Sequence, residues 1–350
     1  MISEAERTVD LGAPYDLPRS LGVLQRGHAD PAVRVDRGVF EGGPRGAPGA
    51  GAWLSLRVPS ADRGDAGGSS GRAVLRFDQL DVSRVRARVA ADSEDASAAA
   101  LNRAPLVLGA ADDWTCLELL LDALGDRVST ALATVRRRHP GVRLPAAGAL
   151  FDQLINVTLE QKVTHEQARH GWRSLLRRHG DAPAADWAQG AALPVPEWLR
   201  MPLTAAQLRA VPSWEWHRLW VQPPLSKTIQ QIARRASAVH RLGAETPVET
   251  DAVNQLAETL AGIPGVGVWT AAETLQRSHG AADLPAVGDY HLAHFVGEAM
   301  TGTRTDDAGM VELLEPYRPH RQRIVRLLKL SGFQHQRMGP KLTSEDHRSR

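Results

Sequence analysis

Past Asp112 the apolar residues return every third or fourth position. Leu117, Leu120, Leu121 and Leu124 form one stripe, Phe151, Leu154, Ile155, Thr158 and Leu159 a second, and Ala168, Trp172, Leu175 and Leu176 a third. That spacing places each set on one face of an amphipathic helix. Trp214, Trp216, Leu219 and Trp220 precede Pro223 and Pro224, which close that segment; Ile229, Ile232, Ala233, Ala236 and Val239 predict one helix after it. Upstream the period changes. Residues 53–58 (WLSLRV) and 73–77 (AVLRF) alternate as strands with one wet face do, and the Gly/Ser/Pro-rich stretches 42–51 and 62–71 read as loops. Two hairpin strands do not stand alone, so helices such as 82–90 are expected to cover them. The pattern predicts an N-terminal antiparallel α/β domain over 1–110 and a mainly α remainder.

Composition narrows the class. At 350 residues the chain has room for two or three compact units, and 43% hydrophobic residues supply their cores. The start, MISEAERTVD, is polar and acidic with no apolar run behind it, so no secretory signal is expected. No stretch reaches the roughly 18 uninterrupted apolar residues of a membrane span; even 116–122 (CLELLLD) is broken by charge. Cys116 is the only cysteine, which excludes an internal disulfide and a four-cysteine iron–sulfur cluster and fits a reducing cytoplasm. The histidines show no zinc-ligand spacing, and His335 and His347 fall in a polar tail, so no metal ligand set is expected. A net charge of +2 hides an asymmetry: residues 318–350 hold nine Lys/Arg against Glu345 and Asp346, a net +7. A basic helix from 318 to 330 is expected to collect phosphates, with a loose basic tail over 341–350.

The densest signal lies in 260–292, LAGIPGVGVWTAAETLQRSHGAADLPAVGDYHL. Val253, Leu256 and Leu260 mark one helix and Ala272 and Leu275 the next, with Pro264-Gly-Val-Gly267 as a tight turn between them. Gly265 and Gly267 allow the turn, and backbone N–H groups at the start of the second helix suit an anion such as a DNA phosphate. Downstream, Asp289 follows a turn-like Pro285-Ala-Val-Gly288 and opens a helix-like run at Tyr290.

This hairpin, the carboxylate after it, the stretch 151–164 (FDQLINVTLEQKVT) before it and the basic helix after it together resemble the helix-hairpin-helix DNA glycosylases, and bacterial 3-methyladenine DNA glycosylase II most of all. The resemblance covers roughly residues 105–340. It implies a core over 111–340 made of two helical subdomains, the hairpin one over about 151–280 and a second over about 112–150 plus 290–340, with a cleft between them. It places the N-terminal domain away from that cleft, with no chemistry assigned to it.

The resemblance also implies roles. Asp289 is expected to be catalytic, since one fixed carboxylate stabilises the positive charge that develops on the sugar as an N-glycosidic bond breaks. Ile263, Gly265, Val266, Gly267 and Thr270 are expected to hold a backbone phosphate, with a monovalent cation on the hairpin carbonyls and no other cofactor. Gln161 and Lys162 are expected to enter the duplex as the damaged nucleotide rotates out. Trp269 is expected to stack on the extruded base. Relatives that also nick the strand carry a lysine where this chain has Trp269, and the lysines here are Lys162, Lys227, Lys329 and Lys341. A monofunctional, monomeric enzyme acting on alkylated purines in duplex DNA is therefore expected. Two departures stand out: Glu273 and Lys329 fall where the 3-methyladenine enzyme has aromatic pocket residues. Glu273 is expected to line the base pocket by pairing with a cationic purine, accepting from an exocyclic amine, or meeting an arginine at the rim. A glycosylase for another lesion, such as a deaminated base, and a non-catalytic DNA-binding accessory stay open as alternatives.

Overall fold

The computed structural model describes residues 3–36, 49–59, 70–184, 187 and 192–334. Its N-terminal part is a five-stranded antiparallel sheet in the order β1-β5-β4-β3-β2, built from β1 (Ser3–Asp10), β2 (Val33–Asp36), β3 (Gly51–Pro59), β4 (Ser70–Gln79) and β5 (Arg84–Ala91). Between β1 and β2 lies the short α1 (Leu17–Leu21). The alternation read at 53–58 and 73–77 falls on β3 and β4, which pair with Trp53 opposite Arg76 and Leu54 opposite Leu75.

The segment 82–90, expected to be a helix, is mostly strand β5. Its arginines Arg84, Arg86 and Arg88 alternate with fully buried Val85, Ala87 and Val89, a period of two. The covering helix is instead α2 (Glu94–Val107), capped by the Ser93 side chain, which buries Ala96, Ala100, Ala104 and Val107 against the sheet. The loop expectations at 42–48 and 62–69 lie outside the described residues, as do His335, His347 and the 341–350 tail.

The remainder is helical: α3 (Thr115–Leu124), α4 (Arg127–Arg138), α5 (Leu150–Thr158), α6 (His165–His179), α7 (Ala205–Ala210), α8 (Ser213–Arg218), α9 (Pro223–Arg234), α10 (Ala236–Glu245), α11 (Thr250–Ala261), α12 (Val268–Ser278), α13 (Leu292–Thr301), α14 (Asp307–Leu314) and α15 (Arg321–Leu330). Pro223 and Pro224 begin α9 rather than merely ending its predecessor, because proline at the first helical positions lacks only an N–H that would be unbonded anyway. The single helix expected over 229–239 is two, broken at Arg235. Among the described residues no helix is long and apolar enough to cross a membrane.

Two apolar cores organise these helices. One is continuous from the sheet through α5, α6, α9 and α11 to Val266, Ala271 and Leu275. The other joins Trp114, Leu117 and Leu132 to Val296, Met310, Ile324 and Leu328, and Trp269, Val287 and Phe295 lean on it. Helix α12 thus packs its body on the first core while Trp269 reaches the second.

The basic helix differs from expectation. It starts at Arg321, after the 3-10 turn Glu315–Tyr317 and the bond Arg318–Pro319, and its arginines are largely internal. Arg321 donates through Nε and Nη2 to both oxygens of Asp283 at 2.9 and 2.8 Å, with both residues buried. Arg323 pairs with Asp112, and Arg326 donates to the carbonyl of Arg19. Arginine forks meet carboxylates two bonds at a time, and such pairs are satisfied within the fold rather than held open for phosphate.

Candidate active site

Helices α11 and α12 meet at the turn 262–267, where Ile263 N donates to Leu260 O and Val266 N to Ile263 O. Gly265 lies at φ +88°, and a side chain there would also collide with Thr228 Oγ1. Gly267 is different. Its φ of −94° suits any residue, and a Cβ built on it meets nothing within 4 Å. Its openness faces outward, and it caps α12 without any side-chain hydrogen bond, whereas α6 and α7 each carry a complete capping box. The N–H groups of Gly265, Gly267, Val268 and Trp269 donate to no protein acceptor among the described residues. Val268 is 65% exposed beside them. An uncapped helix start ringed by free amides is suited to an anion.

The structure reassigns two of the expected contact residues. Val266 turns its side chain into the first core and commits its N–H to Ile263, and Thr270 is 2% exposed. Thr270 acts from behind: its Oγ1 accepts from Gln161 Nε2 at 2.8 Å, and the same Nε2 donates to Gly265 O at 2.9 Å. Gln161 braces the hairpin against the turn after α5. That bracing leaves Lys162 at the tip, exposed and at φ +54°, a strained conformation for a long side chain.

Asp289 stands one residue beyond Gly288, where an added Cβ would come within 3.9 Å of Trp269 Cβ. One carboxylate oxygen accepts from the amides of His291 and Leu292, both at 2.9 Å. Asp289 thereby holds the amides of the N-cap His291 and the first helical residue of α13, which starts at Leu292 and not at Tyr290. The second oxygen makes no hydrogen bond among the described residues. A carboxylate held by one oxygen and free at the other is oriented without being neutralised.

Trp269 is half-buried, with its indole N–H buried and without a hydrogen-bond partner. One turn further, Glu273 meets Arg277 at 2.6 Å, each side chain 13% exposed. Burial alone would raise the Glu273 carboxyl; Arg277, Lys329 and Arg26 outweigh it and hold the group below the usual carboxylate range. Lys329 reaches in from α15. It forms no ion pair among the described residues and is exposed to solvent; partial desolvation lowers its ammonium, offset in part by Glu273 and Asp289. Of the expected partners of Glu273, the arginine present is Arg277, one turn on along the same helix.

The N-terminal domain is not remote from this place. Arg26, in the loop after α1, pairs with Glu160 at 2.9 Å, and Arg277 Nε donates to Val23 O at 3.3 Å. Arg26 is 9% exposed, and its Nε and Nη2 are buried with no partner. The four-residue spacing of Glu273 and Arg277 is a visible helix-pair signal; nothing in the sequence around Arg26 announces its approach. Among the described residues no group of three or more His, Cys, Asp or Glu is placed to hold a metal ion.

No family model matches the chain, and no curated protein does. Solved structures do. The 3-methyladenine DNA glycosylase from Archaeoglobus fulgidus superposes with a TM-score of 0.68 at 13% identity, covering 93% of this chain and 99% of that one. The 8-oxoguanine glycosylase/lyase of Clostridium acetobutylicum in its apo form gives 0.60 at 10% identity, covering 95% and 99%. Its complex with double-stranded DNA containing cytosine opposite 8-oxoguanine gives 0.56 at 11% identity, covering 93% and 96%. From sheet to last helix, the chain has the fold of the helix-hairpin-helix DNA glycosylases.

Proposed function

We propose that the protein is a base-excision DNA glycosylase that hydrolyses the N-glycosidic bond of an alkylated purine rotated out of duplex DNA. The observation that carries this reading is Asp289, fixed by two amides beside Trp269 and close to a hairpin whose helix start is uncapped. A protein that only binds DNA gains nothing from an oriented carboxylate near phosphates.

In this reading the amides of Gly265, Gly267 and Val268 receive a backbone phosphate. Lys162, lifted at its turn, lays its aliphatic stem in the gap that the nucleotide leaves. Trp269 stacks on the extruded base. As the base departs with the bonding electrons, the free oxygen of Asp289 stabilises the cationic sugar and orients water toward the anomeric carbon. Water adds, its proton is lost, and a free base and an abasic site result. With tryptophan at position 269, no imine forms from that position, so strand cleavage is not part of the reaction. The hairpin carbonyls suit a monovalent cation: Ile263 O and Gly265 O each accept one hydrogen bond, from Val266 N and Gln161 Nε2, leaving a lone pair on each. No step depends on that ion.

Base release from methylated duplex DNA, wild type against Asp289→Asn, tests the reading. Loss of about 100-fold or more in release with duplex affinity retained, and strand breaks only after alkali, is the expected result. Equal release by both proteins would remove Asp289 from the chemistry.

A further inference from the structure

Charge gathers around the first turns of α12 from three directions. Helix α12 brings Glu273, with one carboxylate oxygen on Arg277 and the other free of hydrogen bonds among the described residues. The last helix brings Lys329, exposed and without an ion pair among the described residues, its charge acting on Glu273. The N-terminal loop brings Arg26, whose Nε and Nη2 are buried and unpartnered, and Trp269 adds a buried unpartnered indole N–H. Each buried donor left unbonded costs about 1–3 kcal/mol. An aromatic pocket would serve a cationic alkylpurine by stacking alone; this one holds donors and an acceptor in reserve. Such groups are explained by a ligand edge that offers a matching N–H and C=O.

Purine edges differ at those atoms. Guanine and hypoxanthine present a lactam, with O6 accepting and N1–H donating. Adenine presents the reverse, with an N6 amino donor and a bare N1 lone pair. An ionised carboxylate attracts the lactam N–H and repels the adenine lone pair, while cationic donors suit O6 and oppose the adenine amino group. Resting on the glycosylase reading above, we propose that the pocket beneath Trp269 selects lactam-edged purines, with Glu273 accepting from N1–H and Lys329 donating to O6, so that damaged guanine or deaminated adenine is preferred to damaged adenine. The preference follows the edge and not the damage: N3-methylation leaves the guanine lactam intact.

Two matched pairs isolate the edge. Release of 3-methylguanine is compared with 3-methyladenine from one methylated duplex, and hypoxanthine with adenine, each opposite thymine, all normalised to spontaneous loss. Wild type is expected to favour the lactam member of each pair at least about tenfold, because a site built to bond a polar edge rejects the partner lacking it. Glu273→Ala is expected to bring both ratios toward one, and Asp289→Asn to lower all four rates. Thermal midpoint and duplex affinity report whether the Glu273 variant folds; where it does not, the wild-type ratios decide. Equal or inverted ratios in wild type, or ratios unmoved in a folded Glu273→Ala, overturn the assignment. Absence of any release overturns the glycosylase reading itself, a result unlike unselective release.

Discussion

The hairpin and the last helix both carry groups suited to phosphate, and they present them in opposite ways. The turn IPGVGVW has no charged residue at all, yet its amides stand open to solvent at an uncapped helix start. Helix α15 carries Arg321, Arg323, Arg326 and Lys329, yet Asp283, Asp112 and the Arg19 carbonyl hold the three arginines. Arg321 and Arg323 cannot change partners without leaving a buried carboxylate behind. What separates the two regions is availability: an open amide loses little in the free protein and gains an acceptor on binding, whereas a satisfied arginine gains nothing. Glu273 and Lys329 occupy the ground between, charged and only partly matched.

The largest effect expected from this contrast is on stability. Arg321→Ala leaves buried Asp283 with only the longer 3.6 Å contact to Arg318 and one backbone amide, and about 3 kcal/mol of unfolding free energy should be lost. The salt dependence of duplex affinity should stay as in wild type. A denaturant titration together with a salt titration decides the matter: a salt slope reduced by about one, with stability unchanged, would mean that Arg321 holds a phosphate after all. Asp283→Ala combined with Arg321→Ala should recover part of the loss, since the unpaired charge goes with its partner.

The same contrast explains what could be read from the sequence. Stripes such as Leu117/Leu121 and Leu256/Leu260 were legible because helical spacing decides burial with no knowledge of the neighbours, and the hairpin because proline and glycine restrict a backbone locally. The strand 84–91 was missed although its arginines alternate with apolar residues, because so short and basic a run also fits the polar surface of a helix. Partners across long separations left no mark. Arg321 meets Asp283, Arg323 meets Asp112, and Arg26 meets Glu160 only once the chain has folded. Asp289, Trp269 and Gln161 were singled out by resemblance of motif, and the tie that the Gln161 amide makes between Gly265 and Thr270 appears only in the fold.

A smaller effect separates the two ends of α12. Its start is open, whereas its end is closed by His279, 3% exposed, with Ser278 Oγ 2.8 Å from Nδ1. Burial pushes the imidazole down from 6.5 to about 4. The neutral ring is thus the favoured folded form: its contribution is complete above pH 6.5 and is lost as pH falls toward 4. The loss should reach about 2 kcal/mol at pH 5 relative to pH 7.5. Urea midpoints for wild type and His279→Gln at those two pH values should show the wild type falling further. Parallel falls would mean that the ring titrates freely in the fold.

The smallest effect is the most diagnostic for the hairpin, because it pits two glycines against each other. Gly265→Ala forces a side chain into a left-handed backbone and onto Thr228, and about 2 kcal/mol of stability should go, with DNA affinity falling as the turn distorts. Gly267→Ala does neither: its backbone is ordinary and its surroundings are empty, so unfolding should move by less than about 0.5 kcal/mol. Yet the added methyl would stand in the space that a phosphate needs to reach the amides of Gly267 and Val268. Duplex affinity should therefore drop several-fold in Gly267→Ala with the thermal midpoint unchanged. If stability and affinity instead move together in both variants, the hairpin matters as structure alone and the phosphate is held somewhere else.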